Sequence, residues 1–335
     1  MTRRTILAGC GSMGSRWLDY ARGRNDLELV GLVDVRPESA QALNERQGLS
    51  LPVYTSVAEA VPAVQAELLL DTSIPEAHAP NAMTAMASGC DVIMEKPLAV
   101  TMAQANELAA VAERTGRFCA VMQNRRYTKE IRSLKQDLDT GIIGKPVLLT
   151  ADFFLGPHFG GFREEMDDPL LLDMAIHTFD AARYLIGTKP LSVYCHSFNP
   201  HGSWYKGDST AVCIFEFEGG AVFQYNGSWS ALGHTTSWEG SWRIGGTAGS
   251  ALWNGDSTAL YRTADGGEDR QGELHWQGPE RRDACLNEML EALASGRRSE
   301  TDILDNRLSV AMMLGAMESV RQGRRIELEA FAREK

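Results

Sequence analysis

The sequence predicts an α/β protein with a parallel sheet in its amino-terminal part and an antiparallel or mixed sheet in its carboxyl-terminal part. In the first third, short apolar runs alternate with amphipathic stretches of helical period, which is typical of β-α-β units. From Leu191 to Trp276, candidate strands instead follow one another directly, separated by glycine pairs such as Gly219-Gly220. A chain of 335 residues also exceeds one ordinary core, so we expect two domains, residues 1–122 and 123–335.

The candidate strands of the first domain are short apolar runs. They are Thr5–Ala8, Leu27–Val33, Glu67–Thr72, Asp91–Met94 and Phe118–Met122. Between them lie helical stretches such as 101–115, in which Ala105, Leu108 and Ala112 recur at three-and-four spacing before Gly116 ends the pattern. Strands joined by helices in this way form a parallel sheet that is covered on both faces.

The second domain begins with two helical stretches, Lys129–Thr140 and Leu172–Leu185, on either side of a candidate strand at Pro146–Phe154. The further candidate strands are Ser192–Phe198, Ala211–Phe217, Ala221–Trp229, Ser237–Ile244 and Ser250–Trp253. Two helices are predicted to end the chain.

Tryptophan is concentrated in the sheet-rich region. Six of the seven tryptophans lie there: Trp204, Trp229, Trp238, Trp242, Trp253 and Trp276. For any one of them, packing in the sheet or at a subunit interface is favoured over stacking on a sugar. Because an aromatic sheet face needs a partner, we expect a homo-oligomer, a dimer or tetramer, formed through this sheet.

Composition excludes several classes of function. The formal net charge is -11 and the basic residues are scattered, which argues against nucleic-acid binding. No stretch approaches ~20 apolar residues, so no membrane span is expected, and the apolar run after Arg3-Arg4 is too short for an export signal. The six cysteines are widely spaced, which indicates free thiols in a reducing compartment, and we expect a cytoplasmic protein.

A glycine motif, Gly9-Cys10-Gly11-Ser12-Met13-Gly14, follows the first candidate strand and opens a helical stretch. In this position Gly9 permits a tight turn, Gly11 allows a pyrophosphate to approach the backbone, and Gly14 lets the helix pack on the strand. The helix amino terminus then offers N–H groups to the phosphates. Alone the motif could be an ordinary glycine-rich turn, but its place in a β-α-β series predicts a Rossmann doubly wound domain that binds a dinucleotide.

Asp34 ends the second candidate strand, about 20 residues after the glycines, where an acid binds the ribose hydroxyls. Its charge would repel a 2′-phosphate, so NAD is favoured over NADP. Arg36 keeps NADP open as an alternative, because an arginine at this position can stack on adenine or contact a 2′-phosphate.

Glu95-Lys96-Pro97 follows the candidate strand Asp91–Met94, at the carboxyl edge of the predicted sheet. This edge is where such folds bind ligands, so Lys96 is expected to point toward the nicotinamide. Taken alone, the tripeptide could equally be a strand end with an ordinary Glu–Lys ion pair.

With these segments combined, the chain resembles the glucose-fructose oxidoreductase, inositol dehydrogenase and rhizopine-catabolism family (Gfo/Idh/MocA) over nearly its full length. Asp71 departs from the pattern, since the family usually has an apolar residue there. The matching segments are Gly9-x-Gly11-x-x-Gly14, Asp34, Thr72-Ser73-Ile74-Pro75-x-x-His78, Glu95-Lys96-Pro97-Leu98, Asn124-Arg125-Arg126-Tyr127, Gly141-x-Ile143-Gly144-Lys145-Pro146, Asp173-x-x-x-His177-x-x-Asp180 and Gly245-Gly246-Thr247-x-Gly249-Ser250.

The resemblance implies a Rossmann domain followed by an α/β domain with a large, open-faced, mostly antiparallel sheet. It implies that Lys96, Asp173 and His177 are catalytic in an oxidoreductase that acts on a sugar, polyol or similar compound. Candidate cofactor contacts are Gly9, Gly11, Ser12, Met13, Gly14, Asp34, Arg36, Thr72, Ser73, His78, Glu95 and Lys96. Candidate substrate contacts are Asn124, Arg126, Arg163, Asp173 and His177.

These residue types suit hydride transfer. An alcohol loses its hydroxyl proton as the hydride leaves, and an imidazole that titrates near neutral pH can take it, which favours His177 as the base. Asp173 lies four residues earlier on the predicted helix, where it can orient the imidazole. Lys96 can stabilise the developing alkoxide or relay the proton. We expect no metal, because the other histidines lack acid or cysteine partners at ligand spacing.

Two alternatives remain open. One is a dinucleotide-sensing or sugar-sensing regulator of the same fold without catalysis, which the retained catalytic set disfavours. The other is a reductase for an amino-acid precursor or imine, which the Glu-Lys-Pro and Asp-x-x-x-His patterns disfavour.

Overall fold

The computed structural model describes residues 2–333, apart from the side chain of Phe162. The described chain forms two compact units. The first comprises the residues up to Gln123 together with Cys285–Arg307, and the second comprises Asn124–Ala284 and the residues from Leu308 onward.

The first unit contains a six-stranded parallel sheet with the order β3-β2-β1-β4-β5-β6. Its strands are β1 (Arg3–Ala8), β2 (Leu27–Val33), β3 (Val53–Tyr54), β4 (Leu68–Asp71), β5 (Asp91–Met94) and β6 (Cys119–Val121). Its first helices are α1 (Ser12–Arg22), α2 (Pro37–Gln47), α3 (Val57–Val64), α4 (Pro75–Ala87) and α5 (Met102–Thr115). The sheet order reverses between β1 and β4, and in such folds the crevice at this point, at the carboxyl ends of the strands, binds the ligand.

Local sequence explains most of this unit. Helix α5 begins where the Thr101 hydroxyl accepts a hydrogen bond from the Gln104 amide (3.2 Å) and ends at Gly116, whose φ is 64°. The strand β3 was not predicted, because two residues are too short to show a period.

The domain boundary differs from the prediction, which assigned all of 123–335 to the second domain. Residues 285–307 instead return to the first unit, where the Val121 amide donates to the Thr301 carbonyl (3.0 Å) and Ala120 bridges Asp302. Because β6 is an edge strand, its free backbone groups can pair with a segment distant in sequence.

The second unit contains a nine-stranded sheet with the order β14-β13-β12-β11-β7-β10-β9-β8-β15, antiparallel except for the pair β7 and β10. Its strands are β7 (Pro146–Phe154), β8 (Pro190–Phe198), β9 (Thr210–Phe217), β10 (Val222–Ser228), β11 (Ser241–Gly246), β12 (Gly249–Trp253), β13 (Leu260–Thr263), β14 (Arg270–Gln271) and β15 (Ile326–Glu327). The remaining helices of the chain are α6 (Lys129–Asp139), α7 (Ile176–Ile186), α8 (Arg281–Ser295), α9 (Ile303–Gln322) and α10 (Leu328–Arg333). The predicted fold class is confirmed in both units.

One face of the large sheet is covered and the other is exposed. On the covered face, Phe179 of α7 packs edge-on against Phe215 and Tyr225, with ring centroids 4.7 and 5.2 Å away. Side chains alternate along β8 and β9, so every second residue points away from this core. The opposite face exposes large apolar side chains: Leu148, Tyr194, Val212, Ile214 and Leu252.

Tryptophans of the sheet mostly pack inside it, as expected. Trp229, Trp242 and Trp253 are buried, whereas Trp238 is 44% exposed beside Phe159. The six cysteines are also buried, and none forms a disulfide.

Candidate functional site

The glycine turn follows β1 and leads into α1. Gly9 has a φ of 83°, and a Cβ there would lie 2.5 Å from the Ser73 amide nitrogen. A Cβ on Gly14 would lie 2.0 Å from the Gly9 carbonyl oxygen, whereas a Cβ on Gly11 would meet nothing within 4 Å. Gly9 and Gly14 therefore allow close packing of the turn, and Gly11 leaves the backbone open to a ligand at the amino terminus of α1.

Asp34 is held rigidly at the end of β2. One carboxylate oxygen accepts a hydrogen bond from the Cys10 amide (2.8 Å), and the other accepts one from the Arg36 amide (3.0 Å). The Asp34 side chain thus joins the glycine turn to the second strand, where an acid meets the ribose of a dinucleotide. Arg36 itself is exposed, and Met13 is 38% exposed.

A cavity of about 500 Å³ lies between α1 and α2 beside this turn. Its lining includes Gly11, Ser12, Arg16, Ser39 and Arg46. Together with the open backbone at Gly11 and the fixed Asp34 carboxylate, it fits a dinucleotide at the crevice of the sheet.

Thr72 and Ser73 support the turn from the end of β4. The Thr72 hydroxyl donates to the Ala8 and Gly9 carbonyls at 3.0 and 2.8 Å. Ser73 donates through its amide (2.9 Å) and its hydroxyl (2.6 Å) to one oxygen of Asp71. Asp71 is buried, and burial raises the pKa of its carboxyl group, an effect that His78 and the bonds from Ser73 oppose.

His78 occupies a supporting position, in contrast to the cofactor contact predicted for it. The side chain is 1% exposed, with Nδ1 2.8 Å from the Pro97 carbonyl and Nε2 3.1 Å from the Ser73 carbonyl. Because both ring nitrogens meet protein carbonyls, His78 ties the loop after β4 to the Glu95-Lys96-Pro97 loop.

That second loop follows β5 and contains a cis Lys96-Pro97 peptide. Glu95 accepts hydrogen bonds from the Trp17 indole (3.2 Å) and the Lys96 amide (3.3 Å). Burial raises the pKa of the Glu95 carboxyl group, and the positive charge of Lys96 is the largest influence that opposes the rise. Hydrogen bonds to Glu95 and Pro97 therefore hold the loop that carries Lys96 at the carboxyl end of β5.

In the second unit, the predicted helix that carries Asp173 and His177 begins as a π-helical segment, Leu170–Ala175, and continues as α7. Arg163 donates through Nε to an Asp173 carboxylate oxygen (2.8 Å), so two predicted site residues form an ion pair. Single π-helical turns are common at functional sites.

Asp180 and Arg126 form a second, more deeply buried pair. Arg126 Nε donates to Asp180 (2.8 Å), and Ser309 and Arg183 also donate to this carboxylate. The side chains of Arg126 and Asp180 are 4% and 2% exposed. Arg126 therefore lies in the interior of the unit as the partner of Asp180, whereas the sequence analysis predicted a substrate contact for it.

His177 lies in the first turn of α7 and is 8% exposed. It lines a small cavity with Arg125, Thr178, Glu239 and Trp253. The sequence analysis assigned a role to neither Arg125 nor Glu239. Arg125 appeared there only within the segment Asn124-Arg125-Arg126-Tyr127, and Glu239 in no motif, because burial of a charged residue leaves no local pattern. Asn124, which was predicted to contact substrate, is half-buried beside Arg125 at the start of a short 3₁₀ segment.

Within residues 2–333, no group of three or more His, Cys, Asp or Glu side chains is arranged to hold a metal ion. A search of the same residues finds no helix with the length and hydropathy needed to cross a bilayer.

Comparison with known proteins agrees with both units. Residues 3–123 match an oxidoreductase family with an NAD-binding Rossmann fold, GFO_IDH_MocA, and residues 131–252 match the GFO/IDH/MocA C-terminal domain. A protein of Sinorhizobium fredii, y4oX, is 27% identical over 99% of this chain and 97% of its own. The D-glucoside 3-dehydrogenase of Escherichia coli is 31% identical over 60% of this chain and 59% of its own.

A solved structure shares the whole fold. An oxidoreductase from Agrobacterium radiobacter, in complex with NAD+, L-tartaric acid and magnesium, superposes with a TM-score of 0.87 at 20% identity, over 98% of this chain and 99% of the other. The glycine turn, the fixed Asp34 and the two matched domains lead to one conclusion: this chain belongs to the Gfo/Idh/MocA family of NAD-binding oxidoreductases.

Proposed function

We propose that this protein is a dehydrogenase that moves a hydride between NAD and a secondary alcohol or ketone carbon of a sugar, an inositol-like polyol or a sugar derivative. The observation that carries the proposal is that this chain contains a lysine, a carboxylate and an imidazole, Lys96, Asp173 and His177, in the segments by which its sequence resembles the family. The name of the glucoside dehydrogenase relative supports the substrate class.

Nicotinamide supplies the hydride acceptor in the oxidising direction. The chain must then remove the hydroxyl proton as the carbon becomes a carbonyl, so that alcohol and NAD+ become ketone, NADH and one proton. We assign the proton to His177, because a neutral imidazole can accept it near pH 7. Lys96 would stabilise negative charge on the reacting oxygen.

Asp173 and Arg163 extend this assignment. The Arg163 guanidinium holds the Asp173 carboxylate in one orientation through the 2.8 Å bond. We propose that this pair and Asn124 bind substrate hydroxyls, which carboxylate, guanidinium and amide groups all can do. Arg126 is left out of this set because it is buried and two of its nitrogens, Nε and Nη2, already donate to Asp180.

Self-association through the large sheet is part of the proposal. The exposed face carries Tyr194 and Ile214, each 46% exposed, and Val212, which is 40% exposed. A dimer or tetramer that covers this face would bury apolar surface that otherwise meets water. A cytoplasmic location also stays a prediction, supported by the six buried free cysteines.

A panel of sugars, polyols and inositols tests the function. Each compound is mixed with NAD and the protein, and NADH absorbance is followed. We expect reduction of NAD with at least one compound and loss of most turnover in Lys96→Met, which keeps the side-chain stem but removes the charge. Tight NAD binding without turnover on any of the compounds would favour the sensing regulator, and normal turnover of a folded Lys96→Met variant would make Lys96 structural.

A further inference from the structure

A charge cluster in the second unit, with two buried members and one half-exposed member, has no role in the proposed catalytic set. It consists of Glu239, Arg125 and Arg281, and is called here the Glu239 cluster. Arg125 Nε is 3.6 Å from one Glu239 oxygen, and Arg281 is 2.6 Å from the other. The side chains of Arg125 and Glu239 are only 12% and 3% exposed. Charges removed from water to this extent are costly, so their placement calls for an explanation.

The backbone is strained at one member of the cluster. Arg281 has a φ of 56°, a left-handed conformation that residues other than glycine rarely adopt. Neither oxygen of Glu239 accepts a hydrogen bond of good geometry from the described residues, so the two arginines hold it mainly by charge. Strained backbone and buried charge of this kind concentrate at functional sites.

His177 shares a cavity with this cluster. The cavity measures about 10 Å³, and its other walls come from Ile131, Thr178, Ala181 and Trp253. Such a volume holds about one water molecule and no substrate. Arg125 and Glu239 therefore line the same small, bulk-water-free space as His177. In such surroundings a charge acts far more strongly than at the surface.

The charged residues on the helical segment of His177 have partners of opposite charge. On its own helical segment, Asp173 pairs with Arg163, and Asp180 pairs with Arg126 and Arg183. The cavity residues from α6 and β12, Ile131 and Trp253, carry no charge. Arg125 and Glu239 are thus the charged residues of the cavity lining. Burial lowers the pKa of Arg125 and Glu239 opposes this, but a guanidinium stays protonated at neutral pH.

We propose that Arg125 and Glu239 are positioning residues that set, in opposite directions, the pH at which His177 binds a proton. Arg125 disfavours the imidazolium and keeps His177 ready to accept a proton. Glu239 limits this effect, so that the imidazolium still forms when the proton arrives. The inference deepens the proposed function and rests on it, because only an acid–base role of His177 gives the cluster a catalytic consequence.

An NMR titration tests the cluster without requiring activity. The imidazole signals of the full chain are followed against pH, and the His177 signal is assigned by its absence in His177→Gln. Relative to wild type, we expect the His177 midpoint to rise in Arg125→Met and to fall in Glu239→Gln, each by about 0.5 to 1.5 pH units. Arg125→Lys, which keeps the charge, should restore the wild-type midpoint.

Two variants provide matched controls in the same unit. Arg262→Met and Glu216→Gln remove exposed members of surface pairs and should leave the His177 midpoint unchanged. Midpoints that move in the same direction, or stay fixed, in Arg125→Met and Glu239→Gln would overturn the inference. Should Arg125→Met fail to fold, the Glu239→Gln variant decides by itself: a His177 midpoint that is unchanged or higher than in wild type would overturn the inference.

A kinetic arm connects the cluster to catalysis. With a substrate from the panel, the acidic limb of the plot of kcat/KM against pH should move to higher pH in Arg125→Met and to lower pH in Glu239→Gln. The Kd for NAD should stay constant in both variants. Absence of turnover in wild type would count against the proposed function, whereas the NMR titration would still decide the inference.

Discussion

The glycine turn of the first unit and the surroundings of His177 in the second are built in opposite ways. Residues 9–14 are consecutive, and the backbone itself forms the ligand-binding surface, with Asp34 fixed by two amides. Around His177, the side chains of Arg125, Glu239 and Trp253 come from three further segments, and two of them are charged. From this comparison we expect cofactor affinity to depend mainly on the backbone turn and the fixed Asp34, and turnover to depend on the arrangement of charge around His177.

The largest expected effect tests the second half of that comparison. Replacing His177 by Ala should lower the rate of alcohol oxidation by about 10²–10⁴-fold and abolish the rise of rate with pH through neutrality, because the general base is lost. The Kd for NAD should be unchanged. Steady-state rates against pH and a cofactor titration measure both. Near-normal turnover with the wild-type profile would transfer the base role to Lys96.

Glycine substitutions separate fold from ligand contact in the first unit. In Gly14→Ala the new Cβ would lie 2.0 Å from the Gly9 carbonyl, so we expect a stability loss of about 1–3 kcal/mol and weak NAD binding. Gly11→Ala places its Cβ in open space and should keep wild-type stability while weakening NAD binding. Thermal melts measure the stability of the two variants, and NAD titrations measure their affinity for the cofactor. Equal stability of both variants would contradict the packing role of Gly14.

Asp34→Ala should reduce NAD affinity by about tenfold or more, since hydrogen bonds to a charged group are worth about 1.5–3 kcal/mol. Affinity for NADP should fall less or rise, because the charge that repels a 2′-phosphate is gone. Titration of both cofactors measures the ratio. A preference for NADP in wild type that survives Asp34→Ala would refute the role of Asp34.

The smallest effect concerns Asp71. Burial raises the pKa of its carboxyl group. A raised folded-state pKa means that the stabilisation is complete below the unfolded pKa of about 3.9 and is lost as pH rises through the folded value. Asp71→Asn keeps an acceptor for Ser73 without the charge, so its melting temperature should exceed that of wild type by a few degrees at about pH 8.

Near the unfolded pKa of Asp71 this advantage should disappear, because wild-type Asp71 is then protonated. Melts of wild type and Asp71→Asn across pH test the sign. A gain that is the same at every pH would show that the effect is not electrostatic.

Local pattern was enough to predict the framework of the fold. The β-α-β alternation, the caps of helix α5 and the alternating strands of the large sheet all depend on residues close in sequence, and the structure contains them. The dinucleotide-binding turn and the position of Asp34 could be predicted for the same reason, because the spacing of these residues along the chain determines their geometry.

Tertiary structure alone decided the rest. The return of residues 285–307 to the edge of the parallel sheet, the engagement of Arg126 by Asp180 and the burial of His78 between two loops all join segments far apart in the chain. The Glu239 cluster is the clearest case. A sequence records that a residue can carry charge, but burial and the distance to other charges determine what that charge does, and both arise only when the chain has folded.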